Sequence, residues 1–61
     1  MKISDLKAGQ EFLMEGLDVN GNSVTLPAKL ISYNGMNKYI INTDGITMLA
    51  DGDDKIEGVI K

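Results

Sequence analysis

Ser23-Val-Thr-Leu-Pro-Ala-Lys-Leu-Ile-Ser-Tyr33, then Asn34-Gly35-Met36-Asn37, then Lys38-Tyr-Ile-Ile-Asn-Thr43: two extended runs around a break decide how this chain folds. Apolar residues recur at every second position in both runs, the period of a strand with one buried face. Asn-Gly is the pair that most readily adopts the positive φ of a tight hairpin turn. Asn20-Gly21, Asp44-Gly45 and Asp51-Gly52 repeat the device, each between runs rich in Val, Ile, Leu, Thr or Tyr. Four reversals predict five strands, at about 10–19, 23–33, 38–43, 46–50 and 55–60.

No helical period is long enough to supply a second packing layer, so a meander this short buries its apolar face best by curling on itself. The expected fold is all-β: a five-stranded antiparallel meander curled into an SH3-like barrel, one domain over residues 1–61. In the first strand Phe12 and Met14 share one parity while Leu17 and Val19 share the other. A β-bulge near Glu15-Gly16 would bring all four to one face. Pro27 cannot donate to a ladder and fits an edge position or a bend in the long second strand.

The opening, Ile3-Ser4-Asp5-Leu6-Lys7-Ala8-Gly9-Gln10, is too soon broken for a substantial helix. It fits a single helical turn whose Ile3 and Leu6 plug one end of the barrel, with Gly9 releasing the chain into the first strand. This opening, with Phe12 and the polar turn that follows, resembles the N-terminal barrel of PilZ-type flagellar-brake proteins over the first third of the chain. Members of that family are two-domain c-di-GMP effectors that bind nucleotide through an arginine motif ahead of the second domain. Arginine is absent from this sequence, and its 61 residues are expected to hold one domain and no second. The resemblance therefore implies a stand-alone barrel used for protein contacts, and no nucleotide site.

Parity assigns the faces. With an even loop after Tyr33, Val24, Leu26, Ala28 and Leu30 share a face with Tyr39 and Ile41. A two-residue Asp44-Gly45 turn adds Ile46, Met48 and Ala50, and this set is the expected core, with Leu26, Leu30, Ile41 and Met48 at its centre. The opposite face carries Thr25, Lys29, Lys38, Asn42 and Thr47, as a solvated face should. It also carries Ile31, Ile40 and Leu49, brought together across three strands, with Tyr33 at the end of the row. Three readings stand for this second cluster. The curled barrel, the N-terminal turn or the last strand covers it; or it binds a protein partner or another copy, with Lys29 and Lys38 as a polar rim; or it lines a ligand groove.

Composition removes most chemistry. The 61 residues include no histidine, cysteine, tryptophan or arginine, and nine carboxylates outnumber six lysines for a net charge of −3. Ser4, Ser23 and Ser32 have no histidine to activate them, so a serine triad is excluded. No cofactor is implied. The carboxylates of Asp51, Asp53 and Asp54, with Asp44 and Glu57 near in sequence, miss the spacing of an EF-hand and read as hairpin-turn chemistry. Tyr33 and Tyr39 fall on opposite faces by parity, and an acidic chain without arginine gains little from phosphate contacts. Nucleic-acid binding is therefore the second reading.

No apolar run approaches membrane-spanning length, and the N-terminus lacks an apolar signal region. The expectation is a complete small cytoplasmic gene product without enzymatic activity. It would dock on a protein partner or on itself, as a phage or mobile-element inhibitor of a host protein would.

Overall fold

A computed structural model describes residues 1–60. A 3-10 turn at Ile3–Asp5 precedes five strands: β1 (Glu11–Leu17), β2 (Ser23–Gly35), β3 (Lys38–Thr43), β4 (Ile46–Asp51) and β5 (Gly58–Val59). All pair antiparallel in one sheet of order β4-β3-β2-β1-β5. The first four strands form the expected meander, and β5 returns beside β1. The sheet is not closed, because β5 is two residues long and β4 has no second neighbour. Among the described residues no helix is long and apolar enough to cross a membrane.

The N-terminal segment straps the link between β4 and β5. Ile3 N–H donates to Asp54 C=O at 3.0 Å, Ser4 N–H to Gly52 C=O at 3.0 Å, and Ile56 N–H to Met1 C=O at 3.1 Å. Ile3 and Leu6 are thereby driven into the core beside Phe12, Ala28, Leu30, Ile41 and Ala50, with Met14, Tyr39, Ile56 and Val59 packed around them. Gly9, at φ +88, turns the chain toward β1, as expected of it.

One expectation about β1 is corrected, and Pro27 lies where the expected edge position would put it. β1 pairs with β2 without interruption from Glu11 opposite Lys29 to Leu17 opposite Ser23, so there is no bulge at Glu15-Gly16. Leu17 and Val19 consequently stay exposed. Gly16 serves space instead: a Cβ there would lie 2.6 Å from Leu26 Cδ1. Pro27 precedes the stretch of β2 that β3 covers, which begins at Lys29, and its carbonyl accepts the Thr43 hydroxyl at 2.9 Å.

The break in the opening hairpin is also displaced. Asn34 and Gly35 end β2, and the reversal falls on Met36 and Asn37, both at positive φ (53° and 59°). By contrast, Asp44-Gly45 forms the expected two-residue turn, with φ of 52° and 78°. The Asn20-Gly21 reversal spans Asp18–Asn22, where the Asp18 carboxylate accepts the N–H groups of Asn20 (2.8 Å) and Asn22 (2.9 Å). Those amides, Asn22 foremost, hold Asp18 below the usual carboxylate range.

The inner face contains the expected residues, but not all are buried. Leu30, Ile41 and Met48 lie in one row across β2, β3 and β4. Leu30 and Ile41 are closed off from solvent, Leu26 is half-buried, and Met48 is exposed, as is Ile46 beyond it. Among the described residues no segment covers the sheet at the β3–β4 turn.

Candidate functional site

The outer face of β2, β3 and β4 is built by alternation from the same strands as the core. Ile40 sits opposite Leu49 on β4, just as Ile41 sits opposite Met48 on the inner face. On β2 the register slips by one between Leu30, opposite Ile41, and Ser32, opposite Ile40. Two residues of β2, Ile31 and Ser32, therefore face the single Ile40 position, as a β-bulge requires. Ile31, Ile40 and Leu49 form one row across three strands. Ile31 is 45% exposed, Leu49 59%, and Ile40 between them is half-buried. Neither the N-terminal turn nor β5 covers this row, since both lie against the inner face and β1.

Polar rows flank it. On one side Lys29 pairs with Asn42, whose side-chain amide donates to the Thr47 hydroxyl at 3.3 Å. On the other, Lys38 pairs with Asp51 and binds its carboxylate at 2.9 Å. That carboxylate also accepts the Asp53 N–H at 2.9 Å and the Asn37 amide at 3.3 Å. The Asp53 N–H first, then Lys38, holds Asp51 below its ordinary range, and Asp51 raises the Lys38 ammonium. Among the described residues Lys29 has no such partner, so the two rim lysines differ: Lys38 is neutralised in place and Lys29 is not.

Tyr33 does not stand at the end of this row. The bulge turns it over to sit opposite Tyr39, with ring centroids 5.0 Å apart and planes tilted by 58°. The tyrosines thus share the inner-side parity rather than opposite faces, and the Tyr33 hydroxyl oxygen accepts the Asn37 N–H at 3.2 Å. Nothing in the local sequence marks a bulge at Ile31-Ser32, which is why parity counting misses this residue.

The acidic run spends its oxygens on the turn. Besides the Asp51 bonds, Asp54 accepts the Asp51 N–H at 3.3 Å. Among the described residues no group of three or more carboxylates converges as a metal site would need. A cleft of about 320 Å³ lies on the other side of the molecule, lined by Ile3, Met14, Glu15, Asp54 and Lys55. Parity reasoning did not foresee it, because the N-terminal strap forms one wall. No family model, curated protein or solved structure matches the chain.

Proposed function

We propose that this chain is a non-enzymatic interaction module: a small SH3-like barrel, its five-stranded sheet curled on itself, that docks on a protein partner or a second copy. The observation that carries the reading is the aliphatic row of exposed Ile31 and Leu49 around half-buried Ile40, which lies outside the core and, among the described residues, under no other segment. Contiguous apolar surface is rare on a monomer without a contact to make. Burying each such side chain contributes about 1.5–3 kcal/mol, enough in sum for specific association. Lys29 at the rim tunes approach more than affinity. The resemblance of the opening to a PilZ-type N-terminal barrel, there a part of larger proteins, agrees with a contact role.

Nucleic-acid binding is the second reading, and the paired rings of Tyr33 and Tyr39 favour it, since adjacent aromatics stack on bases. Net charge −3 and the pairing of Lys38 with Asp51 weigh against it. Affinity capture from the native host and solution mass at several concentrations, for the wild type and for Ile40→Lys, test both. We expect Ile40→Lys to abolish association with the melting temperature nearly unchanged. If Ile40→Lys unfolds the chain, the row is core and the reading fails. Salt-sensitive retention of the wild type on single-stranded nucleic acid would replace it with the second.

A further inference from the structure

We infer that the gap between Glu15 of β1 and Lys55 takes an extended segment of another protein. The segment adds to the edge of β1 and seats a lysine or arginine side chain in the cleft there. This surface lies apart from the Ile31–Ile40–Leu49 row, and the inference does not rest on that row.

Backbone direction locates the gap. Gln10 C=O accepts the Leu30 N–H at 2.9 Å, and the Asp18 N–H donates to Asn22 C=O at 3.0 Å. The even-numbered residues of β1 therefore aim their backbone groups at β2. The odd-numbered ones aim the other way: Glu11 and Leu13 C=O accept the N–H groups of Ile60 (3.0 Å) and Glu57 (2.8 Å). Pairing with β5 ends at Leu13, opposite Gly58, while β1 runs on to Leu17. Glu15 and Leu17 thus point their N–H and C=O groups past the end of β5. Ahead of Glu57 the chain leaves β1 for the N-terminal strap, with Ile56 N–H donating to Met1 C=O and Lys2 pairing with Lys55. Alternate residues of an extended chain point opposite ways, so Lys55 aims its backbone groups toward β1, as Glu57 does. Among the described residues no backbone bond crosses from Glu15 to Lys55. Two extended stretches part here with unmet groups on both walls, the condition under which a foreign strand adds to a sheet.

The cleft of about 320 Å³ occupies this gap. Ile3 and Met14 give it an apolar floor, and Glu15, Asp54 and Lys55 give it charged walls. A lysine or arginine lays its methylenes along such a floor and keeps its cation at the rim. The two carboxylates outnumber the one ammonium, and among the described residues Glu15 is in no ion pair. With a net charge of −3 on the chain, a basic side chain is favoured over an acidic one. A second copy does not meet this need: β4, the strand with an open edge, has no lysine between Ile46 and Asp51. Main-chain bonds then supply affinity, and the cleft selects the side chain.

Backbone amide shifts of the full chain, read by NMR during titration, test this. The probes are acetyl-Thr-Val-Lys-Val-Thr-amide, the same peptide with glutamate in place of lysine, and N-acetyl-lysine methylamide. The lysine peptide should move the amides of Glu15, Leu17 and Lys55 with a Kd of about 1 mM or tighter. The glutamate peptide should bind about tenfold more weakly or worse, and so should the single lysine, which cannot form a strand. Glu15→Lys should weaken the lysine peptide about tenfold. Leu17→Pro removes an outward N–H and no bond to β2, and should weaken it about fivefold, the worth of one hydrogen bond. Ile40→Lys should bind the lysine peptide as the wild type does. Absence of any shift at about ten times that concentration overturns the inference. Equal binding of the two peptides overturns the cationic site. Equal binding of the single lysine, or an unchanged Leu17→Pro, overturns the strand addition. Shifts confined to Ile40 and Leu49 overturn the inference as a whole and leave the outer row as the contact surface.

Discussion

The β3–β4 hairpin has two ends built from the same alternation, and only one of them is closed. Along the inner face of β4, exposure rises from 9% at Ala50 to 40% at Met48 and 59% at Ile46. At the Ala50 end the β2–β3 turn, Gly52 and the N-terminal strap lie over the sheet. At the Ile46 end none of the described residues does. Period-two patterning decides which side of a sheet a residue joins, and burial needs a further segment to cover that side. The largest test of this difference compares two residues of one row. Leu30→Ala, at the closed part, should cost about 2–5 kcal/mol in urea unfolding. Met48→Ala, two strands along, should cost less than about 1 kcal/mol, close to a surface change. Equal losses would mean that the open end closes in solution.

The glycines of the two ends sharpen the contrast. Gly52 is buried at ordinary negative φ, and a Cβ on it would meet the Asn37 amide oxygen and, at 2.8 Å, Tyr39 Cε1. Its N–H donates to Asn37 C=O at 2.7 Å, so the backbone has little room to retreat. Gly52→Ala should cost about 1–3 kcal/mol by overpacking. Gly45, at the open end, has nothing within 4 Å of such a Cβ, and only its φ of 78° needs glycine. Gly45→Ala should cost about 1 kcal/mol, the backbone penalty alone. Thermal melts of the two variants that rank in the opposite order would remove the distinction between space and φ.

The same two ends explain what could be read from the residues. Asp44-Gly45 turns where its chemistry says because no other segment touches it. Asn34-Gly35 carries an equally strong turn signal, yet the reversal falls on Met36-Asn37. There Gly52 bonds the Asn37 carbonyl, Asp51 its side chain and Tyr33 its N–H. Those partners are distant in sequence and invisible to local patterning. Two one-residue slips in β2, at Ile31-Ser32 and after Tyr33, then add to two and restore the parity of an even loop. That is why the core row of Leu30 and Ile41 and the outer row of Ile31, Ile40 and Leu49 were legible, while Tyr33, between the slips, was assigned to the wrong face. The exposure of Met48 and the shortness of β5 were not legible, because alternation contains no information about cover. The displaced turn also leaves Met36, a bulky exposed residue, at φ 53°. Met36→Gly should relieve that strain and, less the entropy of glycine, stabilise the fold by about 0.5–1 kcal/mol in urea unfolding.

The smallest effect belongs to the charge at the closed end. Asp51 ties the strand end to its own turn through the Asp53 N–H and to β3 through Lys38. Its carboxyl is depressed in the folded state, so its contribution is present above the unfolded value of about 3.9 and is lost as pH falls through the lower folded value. Lys38 is raised, so its share is complete below about 10.4 and fades only as pH climbs past its folded value. Between those limits the pair adds a constant amount, kept small by solvent at so exposed a site. Among the described residues the open end has no equivalent pair, and the other depressed carboxylate, Asp18, lies in the β1–β2 loop and titrates in the same acid window. Asp51→Asn should therefore melt slightly below the wild type at neutral pH, and the gap should close as both are taken to pH ~2, below the range where carboxylates ionise. Asp18→Asn should close a separate gap over the same interval, and the two should add, since the groups share no partner. A gap for Asp51→Asn that persists undiminished in acid would show that the protonated carboxyl keeps the Asn37 and Asp53 bonds and the amide does not, and that charge plays no part in holding this end shut.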